Sequence, residues 1–154
     1  MDVKKRAGEE GNQEKNCKDF RTRENERNKG EIEKVKKKVL FAIESLAGGG
    51  AEKILATIVK NIDKTKFDIT VLTVVETGVY VEEIEKYCTL ISMLPEYEKL
   101  TNPIAKMKYK VDYKKIYKED CAKIYRKYVK NEYDVEIAFV EGFVTKLVAS
   151  SWNK

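Results

Sequence analysis

Histidine is absent from all 154 residues. With it go the commonest general base and the commonest metal ligand, so chemistry within this chain would rest on carboxylates, lysines, tyrosines or backbone dipoles. Cysteine is scarce, and Cys17, Cys88 and Cys121 form an odd set without CxxC spacing. Such a set predicts neither a disulfide framework nor a zinc site, and reads as reduced thiols of a cytoplasmic protein. No apolar run approaches the ~18 residues of a membrane-spanning helix. The first sixteen residues, MDVKKRAGEEGNQEKN, lack the apolar centre of a secretory signal. A clustered basic face is missing too: the net charge is only +5, with acids and bases interleaved. Nucleic acid is therefore not an expected partner. A mildly basic surface is left, with weak peripheral contact to an anionic membrane as an expectation.

Charged residues make up 37% and apolar residues 42% of the chain, a split that predicts a folded part carrying a solvated appendage. Residues 1–36 hold almost no core-forming side chains beyond Val3, Phe20, Ile32 and Val35. A segment so polar buries too little apolar area to offset its ordering entropy, and reads as a mobile tail or solvated helix. The pattern changes at Lys38. Val39–Ile43 is a continuous apolar run, as in a strand buried on both faces of a parallel sheet. A helix is predicted from Ala51 to Ile62, with Ile54, Leu55, Ile58 and Val59 on one stripe. A β-branched strand is predicted over Phe67–Val75 and a short helix over Tyr80–Tyr87.

Further strands are predicted at Thr89–Leu94 and Val135–Val140. Helices are predicted from Asn102 to about Lys110, from Tyr113 to Lys130 and from Phe143 to Ser150. Alternating strands and helices imply an α/β fold with a Rossmann-like, doubly wound parallel sheet. Such a sheet usually continues further, so residues 37–154 read as a domain incomplete at its C-terminal end. Tyrosines recur at 97, 109, 113, 117, 125 and 128; the spacing of the last four reads first as helix packing, and secondarily as contacts for a sugar or a membrane.

The first strand leads into ESLAGGGAEK, Glu44–Lys53. Adjacent glycines permit positive φ and close approach of another group to the backbone. The helix that follows would aim unpaired N–H groups and its positive dipole end at an anion. The spacing is not that of a P-loop, because Lys53 is followed by Ile54. A dinucleotide fingerprint fails as well: Gly48 and Gly50 fit it, but Lys53 stands where the third glycine belongs. Glu76 lies where that fingerprint would place its ribose-binding acid.

The stretch KKVLFAIESLAGGGAEKILATIVKNIDKTKFDITVLTV, Lys37–Val74, resembles the opening of the family 4-like glycosyltransferases. The match includes an SLxxGGAE turn at Ser45–Glu52. YDVEIAFVEGFVTKLVASS, Tyr133–Ser151, resembles the fourth strand and following loop of the same amino-terminal domain. The resemblance spans roughly residues 37–154 and implies half of a two-domain GT-B architecture.

By that resemblance, Gly48, Gly49, Gly50, Ala51 and Glu52 form the turn that faces the donor diphosphate, with Glu52 favouring the helix N-terminus electrostatically. Glu141, Gly142 and Phe143 form the candidate acceptor-side loop, while Thr145 and Lys146 are first-turn helix residues. The implied substrates are a nucleotide-sugar and a glycan or lipid-linked acceptor, without a further cofactor and without a metal. The implied location is cytoplasmic, at most peripheral to the inner membrane face. The family's second domain, with its paired glutamates and phosphate-binding basic residues, has no counterpart here. The chain by itself is therefore expected to have little or no transferase activity. A standalone nucleotide- or phosphate-binding module, or a non-catalytic interaction protein or remnant, stand as the alternatives.

Overall fold

The computed structural model describes residues 35–153, so the tail expected over 1–36 falls outside the described residues except at its last two positions. The elements are β1 (Lys37–Ile43), α1 (Gly50–Asn61), β2 (Phe67–Val75), α2 (Val81–Glu85), β3 (Thr89–Leu94), α3 (Pro103–Lys118), α4 (Cys121–Tyr128), β4 (Val135–Ala138) and α5 (Phe143–Ala149). The four strands form one sheet in the order β3-β2-β1-β4, and every pairing is parallel.

Two cores cover the sheet. Leu40 and Ala42 of β1 belong to the one that includes Ile116, Ile124, Tyr125, Val144 and Leu147. Val39, Phe41 and Ile43 belong to the other, with Leu55, Ala56, Val59 and Ile84. Successive strand residues point to opposite faces, so the unbroken apolar run of β1 feeds both layers. Each such side chain fully removed from water contributes roughly 1.5–3 kcal/mol. The expected α/β fold with a parallel sheet is the fold observed.

Four local expectations are corrected. The stripe on α1 is rotated: Leu55, Ala56 and Val59 are buried, whereas Ile54 and Ile58 are exposed. Apolar residues occupy more of the circumference than the sheet covers, and small Ala56 sits on the buried side. The helix expected to run unbroken over Tyr113–Lys130 is instead two. Glu119 is extended at φ −79°, ψ 161°, and the Asp120 carboxylate accepts from the Lys123 amide at 3.1 Å. A short acidic side chain that caps a new helix competes with continuing the old one. The helix expected over 102–110 is merged into α3, whose start is fixed by Pro103 and by Asn102 accepting from the Ile104 amide at 2.8 Å. Finally, β4 ends at Ala138 rather than Val140, although the Phe139 amide still donates to the Ala42 carbonyl at 2.8 Å.

Cys88 packs against the second core, and its thiol donates to the Ile84 carbonyl at 3.5 Å. Burial raises its pKa from an ordinary 9.0 to about 11, partly opposed by the Lys64 charge. The folded state therefore holds the thiol proton more tightly than the unfolded chain. The resulting stability is fully present below pH 9 and is lost as pH rises toward 11. At pH 8 the thiolate fraction, and with it alkylation by iodoacetamide, is expected to be about a hundredfold lower than in urea. Peptide-resolved labelling that finds Cys88 equally reactive in both states would contradict its burial.

Candidate functional site

The chain leaves β1, builds the sheet outward through β2 and β3, then returns to place β4 on the other side of β1. Strand order thus reverses between β1 and β4. In open α/β sheets that reversal opens a crevice at the carboxyl ends of the strands, because the two loops leave toward opposite faces. Here the loops in question are the glycine turn after β1 and Phe139–Gly142 after β4. Ala42 pairs with Ala138, and the bond from Phe139 to Ala42 carries the contact to the very start of the second loop. Both segments singled out in the sequence therefore emerge from neighbouring strands at the switch point.

The three consecutive glycines do different things. Gly48 has φ +113°, and a Cβ there would lie 3.3 Å from a Val79 methyl. Gly49 is the N-cap of α1 in extended conformation, with no side-chain cap, and the Glu52 carboxylate folds back over it. Gly50 opens the helix with nothing within 4 Å of where its Cβ would be. The first helical bond runs from the Lys53 amide to the Gly49 carbonyl at 3.1 Å. The amides of Gly50, Ala51 and Glu52 precede it and point out of the helix end. Glu52 thus lies where a carboxylate interacts favourably with the dipole.

The turn is held from behind by a residue whose role the sequence did not reveal. Leu46 is fully buried; its amide donates to the Thr77 carbonyl at 2.9 Å, and its carbonyl accepts from the Tyr80 amide at 3.4 Å. Gly78, at φ +122°, lies directly against the Leu46 carbonyl and the Ala47 amide. A glycine just past a strand end marks a turn at Glu76–Gly78 in the sequence, but not the residue it packs against. The Thr77 hydroxyl donates to Glu96 at 3.3 Å, and Glu96 pairs with Lys99 at 3.0 Å. Lys99 holds the half-buried Glu96 carboxyl below its ordinary range. The loops after β1, β2 and β3 are thereby connected.

In the loop after β4, Glu141 and Gly142 are exposed and Phe143 is half-buried. Gly142 has φ +112° and open space where a Cβ would stand. The Thr145 hydroxyl donates to the Val140 carbonyl at 3.1 Å, so Thr145 fixes the loop as well as starting the helix. The Phe143 ring meets Tyr117 at a centroid distance of 4.7 Å. Tyr117 continues a series through Tyr113, Tyr109 and Tyr97, with spacings of 5.0, 6.2 and 5.1 Å. These rings follow α3 from the loop after β3 to the loop after β4. Burial raises the Tyr117 hydroxyl above the usual phenol range, and the nearby Glu44 carboxylate adds to the shift. Glu44, Tyr117 and Phe143 are therefore neighbours around the switch point.

Segments 44–52 and 139–143 contain Glu44, Glu52 and Glu141, and neither lysine nor arginine. The positive potential they offer an anion comes from helix-end amides and the α1 dipole. Among the described residues, no group of three or more Cys, Asp or Glu could hold a metal ion. The chain matches no family model, no curated protein and no solved structure.

Proposed function

We propose that this chain forms the acceptor-side half of a glycosyltransferase of GT-B type that uses a nucleotide-sugar donor. The turn Gly48–Glu52 faces the donor diphosphate, and Glu141–Phe143 borders the acceptor. The observation carrying this reading is the placement of both segments on neighbouring parallel strands where strand order reverses. Transfer requires stabilisation of the diphosphate as negative charge develops on it. A helix N-terminus contributes to that, but the three glutamates of these two segments, which hold no lysine or arginine, oppose it. The cationic groups, and the second wall that excludes water, would therefore come from a further domain. The same acidic rim disfavours a standalone phosphate-binding module.

Amide chemical-shift mapping of the full chain with millimolar UDP- and GDP-sugars tests the assignment. Perturbations are expected at Gly48–Glu52 and Glu141–Phe143, weak in affinity and without turnover. Gly50→Glu, which places a carboxylate in the open space at the helix end, should abolish them. Shifts confined to other elements, or none with any nucleotide-sugar, would sink the reading.

A further inference from the structure

Sixteen residues long, α3 buries only Ile116. Its tyrosines 109, 113 and 117 lie along one side as the aromatic series described above. The opposite arc carries Ile104, Met107 and Val111, exposed by 71%, 66% and 56%. Spacings of three and four residues align these three side chains on one line. The same arc carries Lys108, between Met107 and Val111, and beyond them Lys114, Lys115 and Lys118, all exposed, while Asp112 lies off it. Val111 and the last three lysines, together with Glu119, also line an open groove of about 370 Å³. Lysines of this kind extend their apolar stems along a surface and keep their ammonium groups in its polar layer.

From this arc we infer that α3 docks in the plane of an anionic lipid bilayer, with Ile104, Met107 and Val111 entering the headgroup–acyl boundary and the four lysines pairing with lipid phosphates. Charge complementarity selects this occupant: the arc presents large apolar side chains and four lysines, against the single carboxylate of Glu119 at its end. A lipid surface satisfies both along the ~21 Å from Ile104 to Lys118, and basic apolar helices bind such interfaces by the sum of the two effects. The inference does not depend on the transferase reading, because it uses no residue of the switch point.

The test is co-sedimentation of the full chain with phosphatidylcholine vesicles, with and without phosphatidylglycerol. Binding only to the anionic vesicles is expected, weakening as salt rises. Replacing all four lysines of the arc by Gln should lower partitioning about a thousandfold, since each lysine near such a surface contributes roughly 1 kcal/mol. Ile104→Glu with Met107→Glu should also abolish it. Both changes are on exposed positions, and an unaltered circular dichroism melt separates lost docking from lost folding. Equal sedimentation with neutral vesicles, no sedimentation with anionic ones, or binding that survives the α3 variants would each overturn the assignment.

Discussion

Gly78→Ala is expected to destabilise the domain by about 3–5 kcal/mol, combining backbone strain with overpacking. Two costs coincide at this position. The φ of +122° is one that L side chains rarely adopt, and an added Cβ would collide with the Leu46 carbonyl and the Ala47 amide. Neither obstacle is the end of a flexible side chain, so the loop after β2 must separate from the turn after β1. That separation strains the bond from Leu46 to Thr77 and disturbs Leu46 in the core. Against a typical total of about 5–15 kcal/mol, the loss is large. Gly50→Ala is the informative control, because its Cβ meets nothing within 4 Å, and alanine at the first helical position also favours the helix. Urea denaturation with equal m-values would measure both. A loss under 1 kcal/mol at Gly78, or a larger loss at Gly50 than at Gly78, would refute the close packing of the two loops.

The contrast between these glycines separates what local pattern reveals from what topology supplies. β1 was legible because a five-residue apolar run serves a strand buried on both faces, a requirement internal to the segment. The glycine turn was legible for a similar reason: strand, glycines and helix stand in direct succession. Gly78 was not, because its constraint is the backbone of Leu46, thirty-two residues away. The rotated stripe on α1 has the same origin. Ile54, Leu55, Ile58 and Val59 satisfy helical periodicity equally, and only the sheet decides that Leu55 and Val59 face it. At Asp120 the signal was present but outweighed by the apolar spacing on either side; its capping bond to Lys123 won. The candidate site was legible as two segments. Their adjacency required the order β3-β2-β1-β4, which no local pattern encodes.

Tyr125→Ala is expected to cost about 3–5 kcal/mol, the range for removing a large aromatic from a core. Tyr125 is fully buried beside Leu40, Ile124 and Leu147. Its hydroxyl donates to Glu136 Oε1 at 2.6 Å, the oxygen that also accepts from the Ser151 hydroxyl at 2.9 Å and from the Asn153 side-chain amide. Glu136 Oε2 is buried with no partner among the described residues, so this carboxylate has no spare donor there to replace a lost one. Tyr125→Phe keeps the ring and removes only that donor, and should cost about 1–3 kcal/mol for a lost hydrogen bond to a charged acceptor. The two substitutions thus divide packing from hydrogen bonding.

A double-mutant cycle of Tyr125→Phe with Glu136→Gln should show coupling above about 0.5 kcal/mol, since the two side chains are in direct contact. Additivity within that margin would mean that the hydroxyl–carboxylate bond contributes nothing. The consequence reaches the candidate site through β4. Glu136 sits on the strand that pairs with β1 on one side only, and Ser151 and Asn153 follow α5, whose first residue is Phe143. Tyr125 therefore ties α4 to both ends of the β4–α5 unit that presents Glu141 and Gly142 to the glycine turn. Weakening it should broaden or shift the amide signals of 139–143 while those of β2 and α2 remain in place. Uniform changes across the whole sheet would instead mark Tyr125 as a general core residue, with no special part in holding the switch point.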